Sequence, residues 1–277
     1  MTHNLSHFLT LLTLAVTLTA CSASPTSPAL VSPSQAAPIP AEITAPDLPV
    51  DATWQIQYSG ELDLSLDVDV YNLDLIETTL EDIAALHDRN IYVMCYFSAG
   101  SWEDWRSDAD SFPEEIIGED YAGWPGENWL DIRAIDELGP ILEARLQLAA
   151  DKGCDGVDPD NVNGFENETG FSLSYTDQLD FNLWLADAAH SYGLDIGLKN
   201  DLNQISDLVA YFDWILNEEC FSYDECELLT PFREAGKPVF VIEYETPPAD
   251  FCPQADELGF NTIYKNWELD AYWEACP

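Results

Sequence analysis

Two short segments hold the residues whose type and spacing best suit chemistry. In Cys154-Asp155-Gly156-Val157-Asp158-Pro159-Asp160-Asn161, Asp158 and Asp160 stand two apart, so in an extended strand they lean to the same side. Pro159 cannot donate a ladder hydrogen bond, which predicts that the strand stops there and presents both acids at its end. In Trp214-Ile215-Leu216-Asn217-Glu218-Glu219-Cys220, Glu218 shares the parity of Trp214 and Leu216 and is expected to point inward with them. Apolar neighbours and a second carboxylate both raise a carboxyl pKa. A protonated acid facing an ionised one is the equipment for splitting a glycosidic bond. A separation of about 5–5.5 Å would make one carboxylate a nucleophile, and about 6.5–9.5 Å would leave room for a water and inversion. The Asp-rich segment also reads as a Ca²⁺ loop or a structural turn. Against an EF-hand, no glycine occupies the sixth position counted from Asp155 or Asp158.

Such a pair needs strands that bring distant segments to one end. Runs of β-type residues recur at 54–58, 68–72, 91–97, 154–158, 196–199, 214–217, 238–244 and 262–265. Helical periodicity lies between most of them, at 75–88, 138–152, 176–192 and 227–235, with Thr176 a plausible N-cap. Eight strands alternating with helices predict an α/β fold, a (β/α)₈ TIM-type barrel. Residues 60–66 are too few for a helix, so the first crossover is expected to be degenerate. An open doubly wound sheet is the alternative, but no GxGxxG or GxxxxGK occurs.

Chemistry in such a barrel gathers at the C-terminal strand ends. Those ends offer Tyr58, Asn72 with Asp74, Tyr96 with Ser98, Asp158 with Asp160, Lys199 with Asn200, Glu218, Glu243 with Tyr244, and Lys265. Residues 96–133 read as one long loop region rich in aromatics, including Trp102, Trp105, Tyr121, Trp124 and Trp129. Flat rings beside carboxylates suit sugar, whose C–H faces pack on aromatic faces while polar groups take the hydroxyls.

Six strings in order resemble the motifs of glycoside hydrolase family 114, the endo-α-1,4-polygalactosaminidases. They are YFSAGS (96–101), WPGENWLDI (124–132), GCDGVDPDN (153–161), IGLKN (196–200), NEEC (217–220) and IEY (242–244). The resemblance spans roughly 51–277. It implies a (β/α)₈ barrel that cleaves within galactosamine-containing polysaccharide, with a catalytic Asp in the DPDN string and a catalytic Glu in the NE string. Here those are Asp160, with Asp158 as its rival, and Glu218. Asp160 is expected as nucleophile and Glu218 as general acid/base. Substrate contacts are expected from Tyr58, Asp74, Tyr96, Ser98, Trp102, Trp124, Asp131, Lys199, Glu243, Tyr244 and Lys265. Lys199 would pair with the catalytic Asp and keep it ionised.

Charge agrees with a cationic polymer. The 277 residues carry 9 Lys and Arg against 52 Asp and Glu, a formal net charge of −43. Phosphate binding needs clustered Lys and Arg, so nucleic acid is excluded as a partner. A carboxylate-lined cleft would attract the ammonium groups of unacetylated galactosamine. The same surface charge also suits a saline or acidic habitat. No cofactor is expected. A zinc site is not expected either, because no CxxC occurs and the four His are scattered.

The first 50 residues contain no Lys or Arg. The apolar run at 8–20 suits the h-region of a signal peptide and ends in Leu18-Thr19-Ala20-Cys21, which resembles a lipobox. Residues 1–21 therefore read as a lipoprotein-type signal peptide with Cys21 lipidated. Residues 22–50, with seven prolines, read as a disordered Ser/Pro/Ala-rich linker, and 51–277 as the barrel domain. The chain is expected to be exported and anchored by lipid to a bacterial membrane, or otherwise secreted. The six remaining cysteines suit disulfides. Of fifteen possible sets, the favoured one joins Cys95 to Cys154, Cys220 to Cys226 and Cys252 to Cys276. The first two could equally be buried thiols. The competing function is a surface lipoprotein that binds exopolysaccharide without cleaving it, and a metal-dependent deacetylase is a third.

Overall fold

The computed structural model describes residues 48–276. The signal segment, Cys21 and all of the linker before residue 48 lie outside the described residues.

In chain order come β1 (Trp54–Gln57), β2 (Val70–Asp74), α1 (Leu80–His87) and β3 (Tyr92–Ser98). Then follow β4 (Ser101–Glu103), β5 (Ile117–Asp120), β6 (Glu127–Leu130), α2 (Ile135–Lys152) and β7 (Gly156–Asp160). After these are α3 (Tyr175–Ser191), β8 (Asp195–Lys199), α4 (Ile205–Leu208), β9 (Trp214–Glu218) and α5 (Thr230–Glu234). The last are β10 (Val239–Glu243), α6 (Pro248–Leu258), β11 (Asn261–Tyr264) and β12 (Glu274–Ala275). Eight parallel strands, β1, β2, β3, β7, β8, β9, β10 and β11, lie side by side in that order as the (β/α)₈ barrel, with β12 antiparallel on β11. Two indoles join its ends. Trp54 Nε1 donates to the Asn261 carbonyl at 2.8 Å, and Trp273 Nε1 to the Trp54 carbonyl at 2.7 Å.

Alternation along the strands builds two apolar layers. In β9, Trp214 and Leu216 join Trp54, Ile56, Met94 and Phe240 in the cluster inside the barrel, while Ile215 belongs to the layer under the helices. Glu218 continues the inward parity. Gly197 makes room for the Trp214 indole: a Cβ there would lie 2.0 Å from its Nε1.

The β1–β2 crossover has no helix, and Gln57 organises it instead. Gln57 Nε2 donates to the Ser59 and Glu61 carbonyls, and its Oε1 accepts from Asp63 N at 3.0 Å. Helix α1 starts at Leu80, later than the periodicity predicts, because Asp74 Oδ1 holds Ile76 N and Glu77 N in a turn and Thr79 then caps the helix with Asp82. Ser174, rather than Thr176, caps α3. The stretch expected as one long loop instead contains the antiparallel sheet β4-β6-β5. The fourth helical pattern, at 227–235, resolves into a 3₁₀ turn followed by the short α5. Strand β7 runs through Pro159 to Asp160 and does not stop before it. Its pairing with β8 ends at Val157–Ile196, so Pro159 sits where that ladder has already parted.

Three disulfides join Cys95 to Cys154, Cys220 to Cys226 and Cys252 to Cys276. The first ties β3 to the segment entering β7 across 59 residues. A loop of that length corresponds to about 4 kcal/mol of denatured-chain entropy. Among the described residues no helix is long and apolar enough to cross a membrane.

Candidate active site

The C-terminal strand ends open into a cleft of about 950 Å³. Eleven carboxylates and two cations, Arg106 and Lys199, line it, so its field is strongly negative. At its centre Lys199, the last residue of β8, is 3% exposed. Its Nζ lies 3.2 Å from Asp160 Oδ1 and 3.3 Å from Glu218 Oε2. Those two oxygens are therefore no farther apart than about 6.5 Å, the lower edge of the inverting range. Burial alone would lower the Lys199 pKa, but Asp160, Glu218 and Asp158 outweigh it and hold the ammonium above its ordinary value.

Each of the three strands that supplies this triad turns sharply just beyond it. Asn161, Asn200 and Glu219 have φ of 62°, 52° and 65°. The left-handed region suits Asn but costs a glutamate roughly 1–2 kcal/mol. The turns also place useful groups: Asn161 N donates to Asp160 Oδ1 at 2.8 Å, and Asn200 Oδ1 accepts from Glu218 N at 3.0 Å. Gly100 admits this geometry, since a Cβ there would lie 1.7 Å from the Asn161 carbonyl oxygen.

Glu218 departs from the expectation of a carboxyl kept protonated by apolar neighbours. Burial does push it up. Lys199 pulls it down, helped by hydrogen bonds from the Tyr244 hydroxyl and Asn200 Nδ2, and the net shift is downward. The Asp158 pKa, by contrast, is raised to about 6, chiefly through burial. It is fully buried beneath the cleft. Its Oδ2 accepts from Asn72 Nδ2 at 2.8 Å and the Tyr58 hydroxyl at 3.3 Å, while Oδ1 has no partner. Asp158 does not line the cleft, whereas Asp160 does.

The remaining expected contacts divide. Tyr58, Asp74, Tyr96, Trp124, Lys199 and Tyr244 line the cleft. Tyr58 and Tyr96 pack with ring centroids 4.3 Å apart, and Tyr244 stacks on Trp267 at 4.2 Å. Asp74 is already paired, 2.8 Å from Arg106 Nη1. Ser98, Trp102, Asp131, Glu243 and Lys265 lie outside the lining. Ser98 is buried against Ser101 and Asn161. Trp102 donates to the Ala109 carbonyl and packs on the core. Asp131 is held by Arg133 at 2.7 Å. Glu243 accepts from Phe221 N and the Ser222 hydroxyl, fixing the loop after β9. Lys265 is buried, bonded to Gln55 Oε1 and the Asp270 carbonyl, with its pKa lowered to about 8 by burial. A strand-end position alone does not distinguish a side chain that faces the cleft from one that braces the rim.

The half-exposed rings on the cleft include Trp105 and Trp267 besides Trp124. Neither Trp267 nor the cleft acid Glu127 was expected as a site residue. Glu127 stands inside the WPGENWLDI string, but its position depends on the β6 strand that the loop reading missed. Among the described residues no group of three His, Cys, Asp or Glu is arranged to hold a metal.

The sequence model of glycoside-hydrolase family GH114 matches residues 33–277. The chain belongs to glycoside hydrolase family 114. It is accordingly a glycosidase. Among solved structures it is similar to Aspergillus fumigatus Ega3 in complex with galactosamine, with 39% identity over 83% of this chain and 96% of that one and a TM-score of 0.79. The glycoside hydrolase domain of PelA from Pseudomonas aeruginosa shares the fold at 15% identity, covering 80% of this chain and 98% of that one, with a TM-score of 0.65. No curated protein matches.

Proposed function

We propose that the chain is an endo-acting hydrolase of α-1,4-linked, galactosamine-containing polysaccharide and that Asp160 and Glu218 carry the reaction. The observation behind this is one buried ammonium within 3.3 Å of both carboxylates at the floor of an acidic, aromatic-walled cleft. The resemblance to Ega3, solved with galactosamine, supports the sugar. The cleft's negative field supports a polymer bearing ammonium groups.

In this reading Asp160 attacks the anomeric carbon while Glu218 gives its proton to the departing glycosidic oxygen. Glu218 then takes a proton from the water that releases the glycosyl ester from Asp160, so configuration is retained. The close spacing of the two carboxylates favours this double displacement over inversion. Lys199 pairs with Asp160 at 3.2 Å and orients it for attack. It also holds Glu218 below the usual carboxylate range, so the protonated acid is populated at acidic pH and activity is expected to fall as pH rises. Trp105, Trp124 and Trp267 offer flat faces for sugar rings along the cleft.

Three disulfides suit an oxidising compartment, which supports export. Lipidation at Cys21 and tethering through the linker belong to the same proposal. Products of partially acetylated galactosaminogalactan, digested by the wild type and by Glu218→Gln, test the catalytic reading by mass spectrometry. Internal cleavage by the wild type and a loss of about 10²–10⁴-fold in the variant are expected. Polymer bound with its mass unchanged by the wild type would instead identify a binding protein.

A further inference from the structure

Among the described residues the Glu218 carboxyl has three polar partners, and each of them donates. Oε2 accepts from Lys199 Nζ and Asn200 Nδ2, both at 3.3 Å. Oε1 accepts from the Tyr244 hydroxyl. The other titratable groups around this carboxyl are Tyr58 just beyond β1, Asp158 and Asp160 on β7, Tyr121 between β5 and β6, and the adjoining Glu219. A general acid must take up and release a proton in every turnover. An ammonium and an amide N–H cannot turn to accept, whereas a hydroxyl can. Lys199 and Asn200 therefore leave Oε2 no place for a proton. Glu218 carries it on Oε1, beside the one partner able to reverse its bond.

Tyr244 follows the last residue of β10 and is buried. Its ring lies flat on Trp267, with centroids 4.2 Å apart and planes 14° from parallel. The loop that carries Trp267 is itself pinned: Lys265 Nζ donates to the Asp270 carbonyl, Asn266 Nδ2 to the Asp270 carboxylate and Tyr58 N to the Leu269 carbonyl. The indole is 48% exposed on the cleft, so it can take a sugar ring while it backs Tyr244. We propose that Tyr244 is a positioning residue for the proton donor: it keeps the proton of Glu218 on Oε1, and Trp267 holds the Tyr244 ring in place to do so, so that one indole both binds sugar and sets the acid. The assignment rests on the hydrolase reading above. It goes further in naming the oxygen that gives up the proton and the ring through which a bound sugar bears on it.

The test follows kcat and KM against pH for a soluble galactosamine oligomer, using the full chain and its Tyr244→Phe, Trp267→Ala and doubly substituted variants, with melting curves to establish folding. Tyr244→Phe keeps the ring and its stack but removes a donor that favours ionised Glu218. The alkaline limb of kcat is therefore expected to move upward by about one pH unit with KM little changed. Trp267→Ala is expected to move that limb in the same direction and also to raise KM about ten-fold. The limb of the double variant should stand no higher than that of Tyr244→Phe, because both changes act through one hydrogen bond. Trp267→Phe, which restores a flat ring over Tyr244, should return the limb to the wild-type position. An unmoved limb in Tyr244→Phe would overturn the assignment. So would a Trp267→Ala variant that changes KM alone, or limb shifts that add in the double variant. A wild type that cleaves no galactosamine polymer would sink the hydrolase reading and this assignment with it, whereas an active wild type with any of those three results sinks the assignment alone.

Discussion

Replacing Lys199 by methionine removes the positive charge shared by the two carboxylates proposed to react and leaves a side chain of similar length. At 3.2–3.3 Å, one ion pair at an effective dielectric near 20 is worth about 5 kcal/mol. At 1.36 kcal/mol per pKa unit that would be three to four units, but the cleft is open to water and relaxation reduces it. Charge partners at this distance typically move carboxyls by about 1–3 units. Loss of the cation raises the Glu218 pKa. The protonated acid then persists to higher pH on the alkaline limb. That limb of the kcat profile is therefore expected to move upward by about 1–3 units. The assay is the pH dependence of reducing-end release from soluble galactosamine oligomers, with melting curves at each pH to establish that the variant is folded. A folded variant whose alkaline limb coincides with that of the wild type would refute the electrostatic role given to Lys199.

Two further outcomes follow from the packing. Asp158, whose folded pKa is raised to about 6 against about 3.9 unfolded, costs native stability as it ionises, so wild-type stability should decline between about pH 4 and pH 6 by roughly 3 kcal/mol from this group. Asp158→Asn keeps an acceptor for Asn72 and abolishes the titration, so its denaturant midpoint should match the wild type near pH 4 and exceed it at pH 7; a constant difference across that range would contradict the assignment. Gly100→Ala forces a Cβ against the Asn161 carbonyl and should cost about 2–4 kcal/mol in urea unfolding while slowing cleavage, because Asn161 holds both Asp160 and Glu127. Full activity in that variant would mean that the turn tolerates displacement.

Much of the barrel was legible because its signal is local. Period-two alternation in Trp214-Ile215-Leu216 identifies the inward face of β9, and the same parity carried one residue pair further finds Glu218. What escaped depends on contacts distant in sequence. Residues 117–130 contain too many Gly, Glu and Asp to read as strands, and they become strands only by pairing with one another and with 101–103. Glu127 was lost with them. Helix α6 was hidden by Pro248 and Pro253, although its first turn tolerates one proline and its exposed face the other. Glu243 and Lys265 stand at strand ends as Glu218 and Lys199 do, yet they point into the rim, and no pattern in their own neighbourhood records the difference.

Asp158 and Asp160 show how two residues of one strand, identical in type and parity, receive different work. Rise along the strand carries Asp160 about 7 Å beyond Asp158, from the closed barrel to its mouth. At the lower level, Tyr58 and Asn72 seal the carboxyl from water and its proton is held more tightly. At the upper level, Lys199 and the Asn161 N–H meet a side chain still 20% exposed. Depth in the barrel therefore separates a buried acid from the exposed one proposed to react. It also explains why the lower acid belongs beside the pair: once ionised it would add negative charge below Lys199 and draw the ammonium away from Asp160 and Glu218. Keeping Asp158 protonated below about pH 6 leaves Lys199 to the two carboxylates in the acidic range where Glu218 can hold its proton.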